Sequence, residues 1–198
     1  MKLLLFFLIF IYSGVLFAKD QKLQDFYKDY WALTDKSIEY LYEGKILADA
    51  QVESKDKKQS FKLNVAALYP KACHKVLRKL KMFESYKDWI SFITKSTYSE
   101  PNQLLTVRAE HSLLPYPMIV HIIVKRPTKP GEYPFVFPTG IFTGLKGKFI
   151  IKEHKKTCAF YAESYWKGKD TNIPDFAIEL FSETLTKLGG ELLFRKLR

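Results

Sequence analysis

The side chains best suited to catalysis are few and scattered. The four histidines and two cysteines of this 198-residue chain form neither a Cys-x-x-Cys pair nor a cluster at metal-ligand spacing, so no metal site is predicted. No nucleophile-elbow, zinc-protease or phosphate-loop signature is present. The glycine-rich run Gly140–Gly147 lacks the Gly-Lys-Ser/Thr end of a phosphate loop and precedes a strand pattern, so we interpret it as a hairpin turn. The sequence therefore predicts no catalytic residue and no cofactor.

One strand pattern places a histidine beside apolar residues. Alternate residues of a strand share a face, and one face of a predicted strand over Leu104–Leu113 carries Leu105, Val107, Ala109 and His111. If that face lines a cavity, His111 would supply a polar group at its end. A histidine at the sheet edge or on the surface is the alternative.

Composition predicts one globular domain with a basic surface. The chain is 47% hydrophobic and 16% aromatic, which excludes a disordered protein. Its 32 basic and 21 acidic residues give a net charge of +11. Such a charge favours peripheral contact with an anionic membrane surface. Nucleic acid is not an expected partner, because no recognition motif is present.

The first residues have the pattern of a secretory leader. Lys2 precedes an apolar run that ends at Ala18, before Lys19 and Asp20. The run is shorter than a membrane-spanning helix. We expect residues 1–18 to be a signal peptide and the protein to be periplasmic. Secretion elsewhere, or anchoring by an uncleaved leader, remains open.

The redox state of the two cysteines is also open. Cys73 falls in a predicted helix and Cys158 in a predicted strand. In an exported protein they could form one disulfide. Alternatively, both are buried as small apolar side chains.

Hydrophobic periodicity divides the chain into helices and strands. The first half predicts a helix from Gln21 to about Tyr42, a hairpin and two short helices. The hairpin strands are Lys45–Ser54 and Gln59–Leu68, and the helices are Lys71–Met82 and Tyr86–Ile90. Six strands follow as an antiparallel meander: Ser91–Tyr98, Leu104–Leu113, Met118–Arg126, Tyr133–Thr139, Lys148–His154 and Thr157–Trp166.

A long apolar helix is predicted at the end of the chain. It begins near Pro174, runs to about Leu188 and is ended by Gly189-Gly190, leaving a basic tail. Such an apolar helix must lie against an apolar surface along most of its length.

This order of elements is that of the helix-grip fold. The sequence resembles the START-like superfamily, including polyketide cyclase/dehydrase-type and coenzyme Q-binding-type members, from about Gly44 to Leu193. The resemblance depends on Tyr69-Pro70 before the short helices, on Trp89, on Phe149-Ile-Ile-Lys after a tight turn, and on Ile173-Pro174-Asp175. It implies an α+β fold with one curved antiparallel sheet wrapped around the C-terminal helix. Residues 44–198 would form this domain, and residues 19–43 a helical extension.

The resemblance also implies a function. Such folds hold a lipid, sterol, quinone or other apolar molecule between sheet and helix, so we expect a monomer that binds or transfers one. A cyclase or aromatase on the same scaffold, and an envelope interaction module using the basic surface, are the alternatives. The expected cavity-lining residues lie on the last helix, on two proline-containing segments that would rim an opening, and at the histidine described above: Phe176, Leu180, Phe181, Leu185, Tyr116, Met118, Phe137 and His111.

Overall fold

The computed structural model describes residues 21–112, 114 and 116–197. The predicted signal peptide lies outside the described residues. Two helices, α1 (Gln21–Lys28) and α2 (Asp35–Tyr42), precede a hairpin of strands β1 (Leu47–Lys55) and β2 (Lys58–Tyr69). These elements were expected, except that a single N-terminal helix was predicted. The chain breaks it because Thr34 starts a new helix, accepting a hydrogen bond from the backbone N–H of Ser37 at 3.2 Å.

Two short helices carry the chain across to the far edge of the sheet. They are α3 (Cys73–Leu80) and α4 (Tyr86–Trp89), separated by a 3₁₀ turn at Phe83–Ser85. Six strands and the final helix follow: β3 (Ile93–Ser99), β4 (Leu104–Ala109), β5 (Met118–Val124), β6 (Gly131–Val136), β7 (Lys146–His154), β8 (Thr157–Lys169) and α5 (Asp175–Leu197).

The eight strands of the described residues form one antiparallel sheet in the order β1-β2-β8-β7-β6-β5-β4-β3. Strands β3 to β8 are the predicted meander, and β2 pairs with β8 over its whole length. Helix α5 packs on the inner face of the sheet, which carries Val65, Ala162 and Phe149 on neighbouring strands. The structure thus confirms the α+β helix-grip architecture.

Helices α1 and α2 cover the opposite, outer face. The Tyr27 hydroxyl donates to the carbonyl of Ala67 at 2.9 Å, and the Tyr30 ring stacks on Tyr161 with centroids 4.8 Å apart. The buried residues of this layer include Leu23, Phe26, Ile38, Leu41, Ala66, Leu68, Ile150 and Ala159. The N-terminal extension is therefore an integral second layer.

Strand β1 is an edge strand whose free N–H groups are bound by α5. The backbone N–H groups of Ser54, Val52 and Ala50 donate to Asp175, Glu179 and Glu183 at 2.9, 2.8 and 3.1 Å. Four residues of helix rise about 6 Å, close to the roughly 6.6 Å spanned by two strand residues. The spacing of the carboxylates along the helix therefore matches the spacing of the outward N–H groups, with helix and strand antiparallel. We call these three hydrogen bonds the edge ladder.

A buried glutamine fixes the start of α5. The Gln59 amide donates to Asp175 Oδ1 at 2.8 Å and to the carbonyl of Ile173 at 3.1 Å, and its oxygen accepts from the Thr171 hydroxyl at 2.7 Å. The same carboxylate accepts from the Ser54 hydroxyl at 2.6 Å. The Gln59 side chain is almost inaccessible to solvent, and its amide is hydrogen-bonded both to residues just before α5 and to Asp175 in the first turn of α5.

The two cysteines form a disulfide between α3 and β8. Cys73 and Cys158 are inaccessible to solvent and lie in a cluster with Tyr69, Phe194 and Leu197. The bond ties α3 to the sheet beside the last turn of α5. Of the two states that the sequence left open, a disulfide or two separate buried cysteines, the structure shows the disulfide.

The predicted end of the last helix was wrong. Helix α5 continues through Gly189 and Gly190 to Leu197. A Cβ on Gly190 would lie 2.9 Å from Ile46 Cγ1, so the glycine allows close approach to the sheet. Continuing the helix buries Phe194 and Leu197, and this packing outweighs the low helix propensity of glycine.

The predicted fourth strand was too long. Strand β4 ends at Ala109, and the Glu110 backbone N–H donates to the carbonyl of Phe92 at 2.8 Å, outside the β4–β5 pairing. A turn follows, with the Leu114 N–H donating to the carbonyl of His111 at 2.9 Å. His111 therefore does not continue the strand face of Val107.

The edge ladder predicts the effect of removing one carboxylate. Glu179→Ala leaves the Val52 N–H without an acceptor and should lower the free energy of unfolding by about 1–3 kcal/mol. Glu179→Gln keeps an acceptor oxygen and should cost less. Chemical denaturation measures both, with the exposed Glu191→Ala on the same helix as control. A Glu179→Ala cost no larger than that of Glu191→Ala would contradict the ladder's role.

The N-terminal cluster predicts a pH dependence. Hydrogen bonds from Ser54 and Gln59 hold the pKa of Asp175 below its ordinary value. Because this pKa is lower in the folded state than its unfolded value of about 3.9, the stabilisation is complete above that pH and is lost as the pH falls below it. Melting temperature should therefore fall less steeply below about pH 4 in Asp175→Asn than in wild type. The exposed Asp29→Asn should keep the wild-type slope; equal slopes in all three proteins would refute the assignment.

Candidate ligand-binding groove

The centre of the inner face remains accessible although α5 packs on the same side. Leu63, Val65, Ala162 and Phe149 lie on the central strands β2, β8 and β7, yet each is only half-buried. On the outer face of the same strands, the corresponding positions are closed by α1 and α2, at Ala66, Tyr161 and Ile150. Solvent therefore reaches the middle of the inner face. We call the space between α5 and this surface the inner groove.

Small side chains form the floor of the groove. Ser164 lies directly between Leu63 of β2 and Gly147 of β7, and Ala162 follows on the same strand. Helix α5 lies mainly against β1 and β2, and its Phe194 also reaches Phe160 of β8, with ring centroids 5.7 Å apart. The helix therefore lies mainly over the β1–β2 side of the sheet, and Val65, Ala162 and Phe149 stay partly exposed.

Apolar side chains continue the inner face toward the far edge. Phe135 and Phe137 of the β6 region lie with ring centroids 6.1 Å apart, and both are half-buried. Beyond them the half-buried inner-face residues of β5 and β4 are Met118, Val120, Ile122, Val107 and Ala109. The groove surface is thus apolar and partly aromatic, as in most small-molecule sites.

The floor carries no charge across its two central rows. The first row, from β1 to β5, is Ala50, Leu63, Ser164, Gly147, Phe135 and Val124. The second, from β1 to β6, is Ala48, Val65, Ala162, Phe149 and Tyr133. An ionised group placed over these rows would lose hydration without gaining a partner. The floor therefore favours uncharged ligands.

The charged groups near the groove are already paired. Arg126, two residues after β5, donates to Glu84 and Glu100, and its guanidinium carbon lies 4.1 Å from the Tyr98 ring centroid. The hydrogen bond from Arg126 lowers the pKa of Glu84. Burial raises the pKa of Glu183, but hydrogen bonds from Lys187 and the Ala50 N–H outweigh it and leave the pKa lowered. These ion pairs and hydrogen bonds connect the chain segments that border the groove.

Four of the predicted lining residues lie toward the groove side of the structure. Phe137 packs among Phe135, Phe142 and Ile178, and Met118 is opposite Ala109 on the inner face. Phe181 and Leu185 of α5 are half-buried, and Leu185 packs against Ile90 and Phe92. That these four residues line the groove stays a prediction.

Three other predicted lining residues are largely exposed to solvent. Phe176 and Leu180 are 69% and 54% exposed, and Tyr116 is 51% exposed. Helical spacing explains the first two, because the edge ladder turns positions 175, 179 and 183 toward β1 and positions 178, 181 and 185 toward the sheet and α4. Half-buried His111 lies beyond β4 with its ring edge-on to Phe92 at 5.9 Å.

Sequence reasoning did not select the floor residues. Ala162, Ser164 and Trp166 alternate along a predicted strand, so their shared face was visible. Their role depends on which strands lie beside them, and the pairing of β8 with β2 joins residues about a hundred positions apart.

The described residues contain no group of three or more acidic, histidine or cysteine side chains able to hold a metal ion. Within residues 21–197, no helix has the length and apolarity needed to cross a membrane.

Comparison with known proteins assigns the fold. No family model matches the sequence, and no curated protein matches it. Solved structures do match this chain. The Zhui aromatase/cyclase from Streptomyces sp. R1128 has a TM-score of 0.56 at 8% identity, and the match covers 70% of this chain and 93% of the aromatase/cyclase. A START superfamily protein from Mycobacterium smegmatis has a TM-score of 0.52 at 15% identity, covering 68% and 95%. Ara h 8.0201 has a TM-score of 0.54 at 10% identity, covering 70% and 97%.

These matches show that the chain has the helix-grip fold of START-like proteins. Each covers nearly all of the other protein but only about 70% of this one. Part of this chain therefore has no counterpart in them.

The orientation of α5 predicts that two charge substitutions differ strongly in their cost to the free energy of unfolding. Leu180→Lys places a charge on an exposed position and should change the free energy of unfolding by less than about 0.5 kcal/mol. Leu185→Lys places it among apolar side chains and should cost at least about 2 kcal/mol. Thermal and chemical denaturation compare the two variants. A large cost at Leu180 with none at Leu185 would show that the helix is rotated.

Proposed function

We propose that this protein is exported and binds a hydrophobic small molecule, such as a lipid, sterol or quinone, in the inner groove. The observation that carries the proposal is the half-buried apolar row at the centre of the inner face, Val65, Ala162 and Phe149. Folding normally closes such a surface, as α1 and α2 do on the outer face. A bound apolar molecule would cover it, gaining about 25 cal/mol for each Å² of apolar area removed from water.

The edge ladder supports a stable site. Helix α5 is fixed to β1 by three carboxylates and to β2 through Gln59, while its last turns pack beside the disulfide. These contacts hold the helix above the sheet without filling the centre. A preformed groove loses less conformational freedom when it binds a ligand.

Export is supported by two features. The leader pattern at residues 1–18 directs a chain into the secretory route. The disulfide between Cys73 and Cys158 is of the kind that persists in oxidising compartments and is rare in the cytosol. Release of the leader would leave a chain that begins at Lys19, with its ligand drawn from the cell envelope.

The export proposal predicts the mass of the protein recovered from its own cells. The intact mass should correspond to the chain without residues 1–18 and with one disulfide. Fractionation should place this species in the envelope compartment. A full-length, reduced protein in the cytosol would contradict it.

Filling the groove should weaken binding without loss of folding. Ala162→Leu adds apolar volume over the floor, and it should reduce affinity for the dye N-phenyl-1-naphthylamine by at least about tenfold, a change of about 1.4 kcal/mol. If the floor were close-packed, the same change would instead cost about 1–3 kcal/mol of stability. Fluorescence titration and thermal melting on the mature chain measure both effects.

Thr97→Leu is the matched control, since Thr97 is exposed on β3, outside the groove. It should leave dye affinity unchanged. Loss of stability in Ala162→Leu with no dye binding by the wild type would overturn the groove proposal. Equal dye binding by all three proteins would place the apolar site elsewhere.

A further inference from the structure

Ser164 is the polar group at the centre of an otherwise apolar floor. Its neighbours across the sheet are Leu63 and Gly147, and its neighbours along the same face of β8 are Ala162 and Trp166. The residue is 8% exposed. Its hydroxyl makes no hydrogen bond with another described residue, yet it is not among the fully enclosed, unpartnered atoms.

Three other polar side chains of the inner face hydrogen-bond to backbone carbonyls. The Ser96 hydroxyl donates to the carbonyl of Phe83 at 2.6 Å, and the Tyr98 hydroxyl donates to that of Val124 at 2.9 Å. Trp166 donates its indole N–H to the carbonyl of Thr143 at 3.1 Å. Ser164 differs because its hydrogen-bonding capacity is still available at the floor of the groove.

An unpaired hydroxyl in an apolar site can orient a bound ligand by hydrogen bonding. Buried polar groups without a partner are costly, and native proteins usually satisfy them. Ligand pockets, however, keep a few unpaired polar groups that orient the bound molecule. A serine hydroxyl both donates and accepts, so it matches a ligand hydroxyl or carbonyl equally well.

The residues around Ser164 favour a neutral ligand group. Its row across the sheet is uncharged from Ala50 to Val124. The nearby carboxylates of Glu179 and Glu183 accept hydrogen bonds from the edge of β1. A ligand carboxylate at Ser164 would have one neutral donor and no cation within this row, which does not offset its lost hydration.

Gly147 shapes the space beside the hydroxyl. A Cβ at this position would lie 2.4 Å from Phe135 Cζ and 2.3 Å from the carbonyl oxygen of Glu163. The Phe135 ring therefore crosses the strand at Gly147, on the row that holds Ser164. It forms an apolar wall on one side of the serine, with Leu63 on the other.

We propose that Ser164 is the polar recognition point of the groove, and that the ligand is an uncharged apolar molecule with one hydroxyl or carbonyl group. This assignment rests on the proposed function and specifies its ligand class. The apolar part of the molecule covers Val65, Ala162 and Phe149, and its polar group hydrogen-bonds to Ser164. An ionised amphiphile is disfavoured at the floor.

Matched ligands test the assignment. Decanol, decane and decanoate are titrated at pH 8 as competitors of N-phenyl-1-naphthylamine on wild type, Ser164→Ala and Ser96→Ala. Ser164→Ala should weaken decanol about fivefold and leave decane within about twofold, the effect of one neutral hydrogen bond. In wild type, decanoate should bind at least about tenfold more weakly than decanol. Ser96→Ala removes a structural hydroxyl, so it should change decanol and decane equally.

Each contrary result has its own meaning. Equal loss of decanol and decane in Ser164→Ala would overturn the recognition role, leaving the groove intact as a binding site. Decanoate binding as tightly as decanol would overturn the neutral ligand class. Failure of the wild type to bind the dye or any competitor would overturn the proposed function and this assignment with it.

Discussion

The free edge of β1 is the constraint on which the rest of the structure depends. An exposed edge strand presents N–H groups that must find acceptors and otherwise invites pairing with another chain. Here Asp175, Glu179 and Glu183 of α5 supply those acceptors. The match works because the four-residue spacing of the helix nearly equals the two-residue spacing of the strand. One row of hydrogen bonds thereby protects the sheet edge and sets the position of α5.

That position creates the groove. A helix anchored to β1 does not cover the middle of the sheet completely, so Val65, Ala162 and Phe149 remain partly exposed. The N-terminal helices have the opposite effect on the outer face, where Tyr27 and Tyr30 close the same strands. At the centre of strands β2, β8 and β7, Ala66, Tyr161 and Ile150 of the outer face are thus buried, whereas Val65, Ala162 and Phe149 of the inner face are partly exposed. This asymmetry distinguishes a binding scaffold from a filled core, in which packing density is uniformly high.

Local patterns predicted the elements, and tertiary contacts decided the details. The alternation in the hairpin and the meander predicted eight strands within a few residues, because period-two burial is a local property. Gly189 and Gly190 were interpreted as a helix end, but their small size serves close packing on Phe92 and Ile46. Phe176 and Leu180 were assigned to the cavity from their apolarity and helical spacing. The edge ladder that turns them to solvent joins residues far apart in sequence, so the local pattern did not reveal it. The floor at Ser164 was hidden for the same reason: it exists only when β2 and β7 flank β8.

The most direct test of the groove is methyl-resolved NMR of the mature chain during titration with decanol. The account predicts saturable chemical-shift changes and ligand contacts at Leu63, Val65 and Ala162, with Leu180 and the outer-face Ile119 and Ile123 unaffected. Changes confined to Ile119, Ile123 or Leu180 would contradict it, because the ligand would then lie on the exterior of the fold. Absence of any saturable change would show that the inner face binds no apolar molecule of this kind.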